Sequence, residues 1–262
     1  MQIVDPVYVG GGIAVALFVG ILLCLEIGRW VGRVAITRYG PAAHPDSGSL
    51  ETAVFALMGL LIAFTFSGAL NRFDLRRAQV VDEANAVGTA WLRIDLLPAP
   101  AQPELRQTFR DYLDARVATY RKLPDLGAAR DELARSQELQ DDIWAQAVAA
   151  ARLPDARSPA EMLLLPALNQ MFDITGTRTA ATRMHPPTII YVMLICLALM
   201  AAMLSGYQSA AKPVHDWIHQ IGFAAIMAFT VYVILDLEYP RMGWIRLDAI
   251  DELLVQVRAR LS

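Results

Sequence analysis

Four long apolar stretches dominate the pattern of hydrophobic and polar positions along this chain. A helix that rises 1.5 Å per residue needs about 20 such residues to cross the hydrocarbon core of a bilayer. Each stretch reaches roughly that length, and the approximate limits are Val7 to Leu25, Thr52 to Leu70, Thr188 to Ala211 and Trp217 to Leu235. The pattern predicts an all-α polytopic membrane protein with about four transmembrane helices.

The polar segment between the second and third stretches predicts a helical-bundle cytosolic insert. No proline interrupts residues 51–97, so the second crossing is expected to leave the membrane as one continuous rod. Amphipathic patterns over 104–122 and 128–152 predict two further helices, and Ser158-Pro159-Ala160-Glu161 is typical of a helix start. The predicted divisions are transmembrane helices 1 and 2 in 1–70, a helical cytosolic domain in 71–187, transmembrane helices 3 and 4 in 188–240, and a C-terminal helix in 241–262.

Composition and charge narrow the class of protein further. The chain is 55% hydrophobic and 19% charged, whereas soluble domains have about 25% charged residues. Its net charge of −3 provides no general basic field, so a nucleic-acid partner is not expected. The two cysteines, Cys24 and Cys196, both lie in apolar stretches and predict no disulfide framework.

No set of residues predicts catalysis. The sequence has no glycine-rich phosphate loop, no HExxH and no nucleophile elbow, so neither enzyme activity nor a cofactor is predicted. His215 and His219 are four residues apart and are weak candidate metal ligands, but no third ligand is evident. A membrane-embedded enzyme is therefore the weakest interpretation.

The second apolar stretch carries a column of small and polar residues at steps of three or four. This column becomes acidic and amide-rich where it leaves the membrane. It has two physical uses: close packing of helices, or lining a water-filled pore formed by symmetric copies. Its members are Thr52, Ala56, Gly59, Ala63, Ser67, Asn71, Asp74, Ala78, Asp82, Asn85 and Thr89.

Charged residues at the ends of the apolar stretches need partners, because an ionised group at a membrane edge is costly when it is unpaired. We predict ion pairs there. For Asp236 and Glu238 the candidate partners are Arg241 and Arg72. For Glu26 they are arginines of its own helix, three or seven residues further on.

Arginine and lysine near the ends of the stretches predict the orientation of the chain. The larger set is Arg72, Arg76, Arg77, Arg178, Arg183, Arg241 and Arg246. The smaller set is Arg29, Arg33, Arg38 and Lys212. Because cytoplasmic loops carry the excess of basic residues, both termini and the large domain are predicted to be cytoplasmic. The neighbouring residues Arg72, Arg76 and Arg77 form a predicted basic collar, with anionic lipid headgroups as the simplest partner.

Two stretches of this sequence resemble a known family. They are GLLIAFTFSGALNRFDLRRA at 59–78, continuing through DEANAVGTAWLRIDLLP at 82–98, and the segment from NQMFDI at 169–174 to RMHPP at 183–187. Both resemble the bacterial bestrophin-like domain family, over nearly the whole chain. The resemblance implies kinship with bestrophins, which are pentameric chloride channels whose second transmembrane helix lines the pore. It also implies a bacterial inner membrane location. The bestrophin neck and acidic calcium-binding clasp do not align with this sequence.

The preferred hypothesis is a homo-oligomeric ion channel in the lipid bilayer, with the second helix lining a central pore and inorganic ions as its cargo. Thr52, Ser67 and Asn71 offer polar groups, Phe64 or Phe66 forms an apolar constriction, and Asp74 and Asp82 form acidic rings. Acidic rings favour cations, whereas the basic collar and the family resemblance favour anions, so selectivity stays open. The alternative is a non-conducting scaffold or sensor in which the column, including Gly59 and Ala63, is a packing seam.

Overall fold

The chain is described here by a computed structural model that covers residues 6–40, 48–156, 158–212, 216–240 and 243–261. Within these ranges it contains helices and no strand, which confirms the predicted all-α fold. The α-helices are α1 (Pro6–Tyr39), α2 (Gly48–Arg93), α3 (Gln102–Arg121), α4 (Leu126–Ala151), α5 (Ser158–Ala181), α6 (Thr188–Gln208), α7 (Trp217–Glu238) and α8 (Asp248–Arg260). Short 3-10 turns lie at Ile94–Leu96, Ala99–Ala101 and Ser209–Ala211.

Four segments are long and apolar enough to cross a membrane. They are Gly10–Tyr39, Gly48–Leu96, Thr188–Ala211 and Trp217–Glu238. These segments contain three of the four apolar stretches of the sequence and all but the first three residues of the other, so the prediction of a polytopic membrane protein is confirmed. Because each segment is helical, its backbone hydrogen bonds are made within the segment, as an environment without water requires.

Helix α2 is the longest element. Its 46 residues span about 69 Å at 1.5 Å per residue. The helix ends at Arg93, a few residues before the predicted limit at Leu97, because the chain tightens into the 3-10 turn Ile94–Leu96 ahead of Pro98. Residues 48–72 and 73–93 of this helix belong to two different compact units of the fold.

Unit 1 consists of Met1–Arg72 and His185–Tyr239. In it, α1 packs against α6 and α7. The approach of α1 to α6 is so close that a Cβ atom at Gly206 would overlap the carbonyl oxygen of Leu25, and one at Gly28 would overlap the carbonyl oxygen of Met203. Gly32 continues this contact against Tyr207. Transmembrane helices gain packing contacts in this way when small residues let their backbones meet.

Unit 2 consists of Phe73–Met184 and Pro240–Ser262. Helix α3 packs against α4 and α8, and α5 packs against α4. Asp125 caps α4 by accepting hydrogen bonds from the backbone N–H groups of Gly127 and Ala128, both at 3.0 Å. Helix α5 begins at the predicted Ser158 and continues through Pro166. The largest core side chains are Trp91, Ile94, Leu105, Phe109, Tyr112, Leu113, Ile143, Leu164, Leu168, Met171 and Leu254.

Candidate functional site

The small and polar column of α2 is exposed along its full length. Every member, from Thr52 through Gly59, Ala63, Ser67, Asn71, Asp74 and Asp82 to Thr89, lies at an exposed position. A Cβ atom at Gly59 would meet nothing within 4 Å, so the column does not act as a packing seam inside the described part of this chain. We call this surface the α2 column.

Large apolar side chains accompany the α2 column. Phe64 is 68% exposed and Phe66 is 39% exposed, and both belong to the part of α2 that is long and apolar enough to span a membrane. Thr52 donates its hydroxyl to the carbonyl oxygen of Gly48 at 2.7 Å. In the part of α2 that lies in unit 2, Leu75 and Leu92 are 53% and 69% exposed.

The two acidic residues of the α2 column, Asp74 and Asp82, are both exposed to solvent. The Asp74 carboxylate is 57% exposed and lies 3.5 Å from the Arg77 guanidinium, which is itself 49% exposed. An exposed pair at this distance is weak, so the Asp74 charge remains available to solvent. Asp82 is exposed as well, whereas the next residue, Glu83, is fully buried.

The three arginines of the predicted basic collar have different surroundings. Arg72 is half-buried and donates its Nε–H to Glu238 Oε1 at 2.8 Å. Arg76 is buried and donates to the carbonyl oxygens of Ala181 at 3.3 Å and Met184 at 3.1 Å. Of the three, Arg77 alone is exposed. The positive charge of this segment is therefore largely engaged by acceptors within the chain.

A cluster of ionisable and aromatic side chains lies in unit 1 where α2 and α7 leave the apolar layer. The Glu238 carboxylate has no exposed surface and accepts from Arg72 through both Nε and Nη2. Its other oxygen lies 3.4 Å from His185 Nδ1. The His185 ring stacks on Tyr239, with 4.6 Å between the ring centroids. We call Arg72, His185, Glu238 and Tyr239 the membrane-edge cluster.

The other predicted edge residues have surroundings of their own, and Asp236 accepts a backbone hydrogen bond from Tyr239 of the cluster at 3.2 Å. Asp236 is buried, and Glu26 is half-buried. Arg29, also buried, donates from Nη2 to the carbonyl oxygen of Lys212 at 3.4 Å, beyond the end of α6. Carbonyl oxygens at a helix C-terminus carry partial negative charge, which favours a guanidinium there. Arg241 lies outside the described residues.

Sequence reasoning missed a buried ionic network in unit 2. Glu83 of α2 accepts from Arg116 of α3, with Nε–Oε1 at 2.8 Å and Nη2–Oε2 at 3.3 Å. Arg178 of α5 donates to the same carboxylate and also reaches Asp251 of α8 at 3.3 Å. Arg116 further donates to the Tyr120 hydroxyl at 2.6 Å. One carboxylate thus joins two guanidinium groups, and four helices contribute to the network.

The pKa of Glu83 shows which force dominates in that network. Burial acts to raise the pKa of this carboxyl, but the adjacent charges and hydrogen bonds of Arg116 and Arg178 lower it below its ordinary value. Glu83 is therefore held ionised. The burial of Tyr112 raises the pKa of its phenol, whose oxygen lies 3.0 Å from the Thr175 hydroxyl.

A signal for this network was present in the sequence. Val80, Glu83 and Val87 follow one another at steps of three and four, which places the carboxylate on the apolar face of α2. Arg116 likewise falls on the face of α3 that carries Phe109 and Tyr112. A charged residue in phase with an apolar face indicates a buried ion pair.

The weak metal candidates do not form a site among the described residues, where no group of three or more His, Cys, Asp or Glu side chains is suitably placed. His219 is exposed, and its Nδ1 lies 2.6 Å from an Asp216 carboxylate oxygen. That hydrogen bond lowers the pKa of Asp216. His215 lies outside the described residues.

Comparison with known proteins gives one family and one group of structures. A sequence profile described as the Bestrophin-like domain matches residues 6–248. Two crystal structures of variants of a bacterial bestrophin homologue from Klebsiella pneumoniae match with a TM-score of 0.66 at 11% identity. They cover 93% and 92% of this chain, and 98% and 97% of theirs. A crystal structure described as a membrane protein matches with a TM-score of 0.63 at 13% identity, over 93% of this chain and 97% of its own. No characterised protein sequence gives a significant match.

Proposed function

The chain belongs to the Bestrophin-like domain family, and from that premise we propose that it forms a homo-oligomeric ion channel whose central pore is lined by α2. The supporting observation is the exposure of the whole α2 column. Polar side chains within an apolar stretch are costly when they face lipid, so they need water or another protein surface. When symmetric copies are arranged around an axis, such a face can line a water-filled central pore.

The residues of the α2 column have different proposed roles. Thr52, Ser67 and Asn71 offer oxygen and nitrogen atoms to a passing ion where the pore crosses the apolar layer. Phe64 and Phe66, both exposed, form the apolar constriction, which gates by excluding water when it is narrow.

Asp74 and Asp82 are the proposed acidic rings, one carboxylate from each copy. Because Arg72 is paired with Glu238 and Arg76 is buried against carbonyl oxygens, few basic charges oppose these rings. The remaining exposed guanidinium, Arg77, lies beside Asp74 and neutralises it only in part. We therefore propose a preference for cations at this end of the pore.

Replacing Asp74 with Asn is expected to shift ion preference away from cations and to reduce cation conductance by about half or more, because each ring loses every one of its charges. The measurement uses purified protein in a planar lipid bilayer under a KCl gradient. The reversal potential gives the preference, and the single-channel current gives the conductance. The same change at Asp82 is expected to act in the same direction.

Asp131→Asn is the matched control for this test, because it removes one carboxylate from an exposed position on α4. It is expected to leave the reversal potential unchanged. If Asp74→Asn and Asp131→Asn behave alike in a conducting protein, the acidic-ring assignment is wrong. Silence of a well-behaved wild-type oligomer across voltage, pH and calcium would contradict the channel itself.

A non-conducting scaffold is the second candidate, and the exposed small residues Gly59 and Ala63 of the α2 column are the observation that favours it, because small residues let helices of two copies approach closely. Replacing both Gly59 and Ala63 with Leu separates the two functions. If the α2 column lines a wide pore, these leucines are expected to leave the oligomer intact and to reduce conductance. If the α2 column is a packing seam between copies, the leucines are expected to prevent assembly. Light scattering with size-exclusion chromatography measures the oligomeric state.

The proposed setting is a bacterial inner membrane, with unit 2 and both termini in the cytoplasm. The excess of arginine at the ends of the apolar stretches on that side supports this orientation. The proposed partners are the lipid bilayer, inorganic ions and further copies of the chain.

A further inference from the structure

A cavity of about 300 Å³ lies in unit 2, between the C-terminal end of α3 and the first half of α8. This volume falls at the lower end of the range for small-molecule sites in proteins. Part of the lining is apolar, with Val117 and Leu123 at or just beyond the end of α3 and Leu254 and Val255 on α8. Apolar surface gains free energy when a ligand removes it from water, so the cavity suits a ligand with an apolar body.

The polar part of the lining is held in place by the buried ionic network of unit 2. The Tyr120 hydroxyl accepts a hydrogen bond from Arg116 at 2.6 Å, and the Arg178 guanidinium lies 4.4 Å from the centroid of the Tyr120 ring. Arg178 also donates to Asp251, a further residue of the lining, at 3.3 Å. Both arginines are in turn bound by Glu83. Because these contacts already restrain Tyr120 and Asp251, a ligand binds against them at a low entropic cost.

The lining also carries two exposed side chains of opposite charge, Arg121 from α3 and Glu252 from α8. Within the described ranges of the chain, neither makes a side-chain hydrogen bond or an ion pair. Arg246, from the segment before α8, adds a second positive charge. A guanidinium binds a carboxylate through two parallel hydrogen bonds, and a carboxylate accepts hydrogen bonds from an ammonium group. The lining therefore offers a partner for each charge of a zwitterion.

We propose that this cavity binds a free α-amino acid with an apolar side chain. The carboxylate of the ligand pairs with Arg121, its ammonium group pairs with Glu252, and its side chain covers the apolar part of the lining. The apolar surface and the two opposite charges thus each match one part of the ligand. This binding goes beyond the proposed channel function and does not depend on it.

Equilibrium dialysis of the purified full chain in detergent tests the proposal, with radiolabelled L-leucine and L-phenylalanine as separate probes. Saturable binding of at least one of them is expected, at one molecule per chain, because each chain carries one such cavity. Absence of saturable binding for both amino acids overturns the proposal.

Arg121→Gln and Glu252→Gln are each expected to weaken binding about tenfold, because each removes a hydrogen bond between charged partners. Both positions are exposed, so the variants are expected to fold as wild type does. Arg130→Gln and Glu138→Gln make the same changes at exposed positions on α4 and are the matched controls. They are expected to retain the affinity of wild type. If the two lining variants retain it as well, the amino acid binds elsewhere and the assignment of this cavity is wrong.

Two analogues of leucine test whether both charges of the ligand are used. 3-Methylbutylamine keeps the side chain and the amine, and 4-methylpentanoate keeps the side chain and the carboxylate. Each is expected to compete with radiolabelled L-leucine at an affinity lower by about tenfold or more, because one charged contact is missing. An analogue that competes as well as unlabelled leucine would show that the cavity recognises a single charge, which contradicts the zwitterion.

Discussion

Replacing Glu83 with Gln is expected to destabilise unit 2 by about 3 to 5 kcal/mol, the largest effect of any single change considered in this chain. The variant keeps the size of the side chain but leaves the Arg116 and Arg178 guanidinium groups buried without their shared carboxylate. Both arginines are at most 5% exposed, so water does not replace the lost partner. Arg178 keeps its contact with Asp251 at 3.3 Å, whereas the Arg116 charge is left buried beside the neutral Tyr120 hydroxyl, which is among the costliest changes in a protein core.

Pulse proteolysis over a urea series measures this effect, because cleavage reports the fraction of unit 2 that is unfolded. Asp82→Asn is the matched control, since it changes the adjacent residue in the same chemical way at an exposed position. It is expected to alter stability by no more than about 0.5 kcal/mol. Equal stability of the two variants would show that the ionic network does not stabilise unit 2.

The same network predicts how unit 2 responds to acid. The two arginines hold the pKa of Glu83 below its ordinary value, so its contribution is fully present above about pH 4.3. This contribution is lost as the pH falls through the lowered pKa of the native state. Wild type is therefore expected to lose stability in that acidic range more steeply than Glu83→Gln, which has no carboxyl at this position to titrate.

Replacing Gly206 with Ala is expected to destabilise unit 1 by about 2 to 3 kcal/mol, the second largest effect. A methyl group there overlaps the carbonyl oxygen of Leu25, and a backbone atom yields only if the two helices separate. When the helices separate, the close packing contacts between α1 and α6 are lost. The bilayer provides no hydrophobic driving force that would replace these contacts.

Gly222→Ala is the control for this variant, because Gly222 lies on α7 and a Cβ atom there meets nothing within 4 Å. Unfolding of the purified protein in mixed micelles with increasing dodecyl sulfate, followed by circular dichroism, compares the two. A Gly206→Ala variant as stable as Gly222→Ala would mean that α1 and α6 adjust without loss.

Local features of the sequence predicted the membrane helices correctly. Whether a segment spans depends on its own length and hydropathy, and both are visible without knowledge of the fold. The start of α5 at Ser158 was equally predictable, because its capping pattern lies within four consecutive residues. The end of the α2 rod was also predictable, because Pro98 lies directly after the 3-10 turn Ile94–Leu96 that completes it.

Pairings between distant residues were not predictable in the same way. Gly28 and Gly32 have the spacing of a helix-packing motif, but nothing local identifies Gly206 as the opposing surface. Helix phase places Glu83 on a buried face, yet its arginine partners come from two other helices. The α2 column was predicted from the spacing of its residues, and the structure shows that these residues are exposed. The role of the column in a pore stays a prediction.

The discontinuous sequence of unit 2 has a consequence for biosynthesis. Its first part ends at Met184 and its second begins at Pro240, with α6 and α7 between them. Asp251 of the ionic network and the core residue Leu254 both belong to the second part. A ribosome delivers them only after the last two membrane helices have been made. Before that point Leu254 is missing from the core and Arg178 lacks one of its two acceptors, so unit 2 completes its folding only after α6, α7 and α8 have been synthesised.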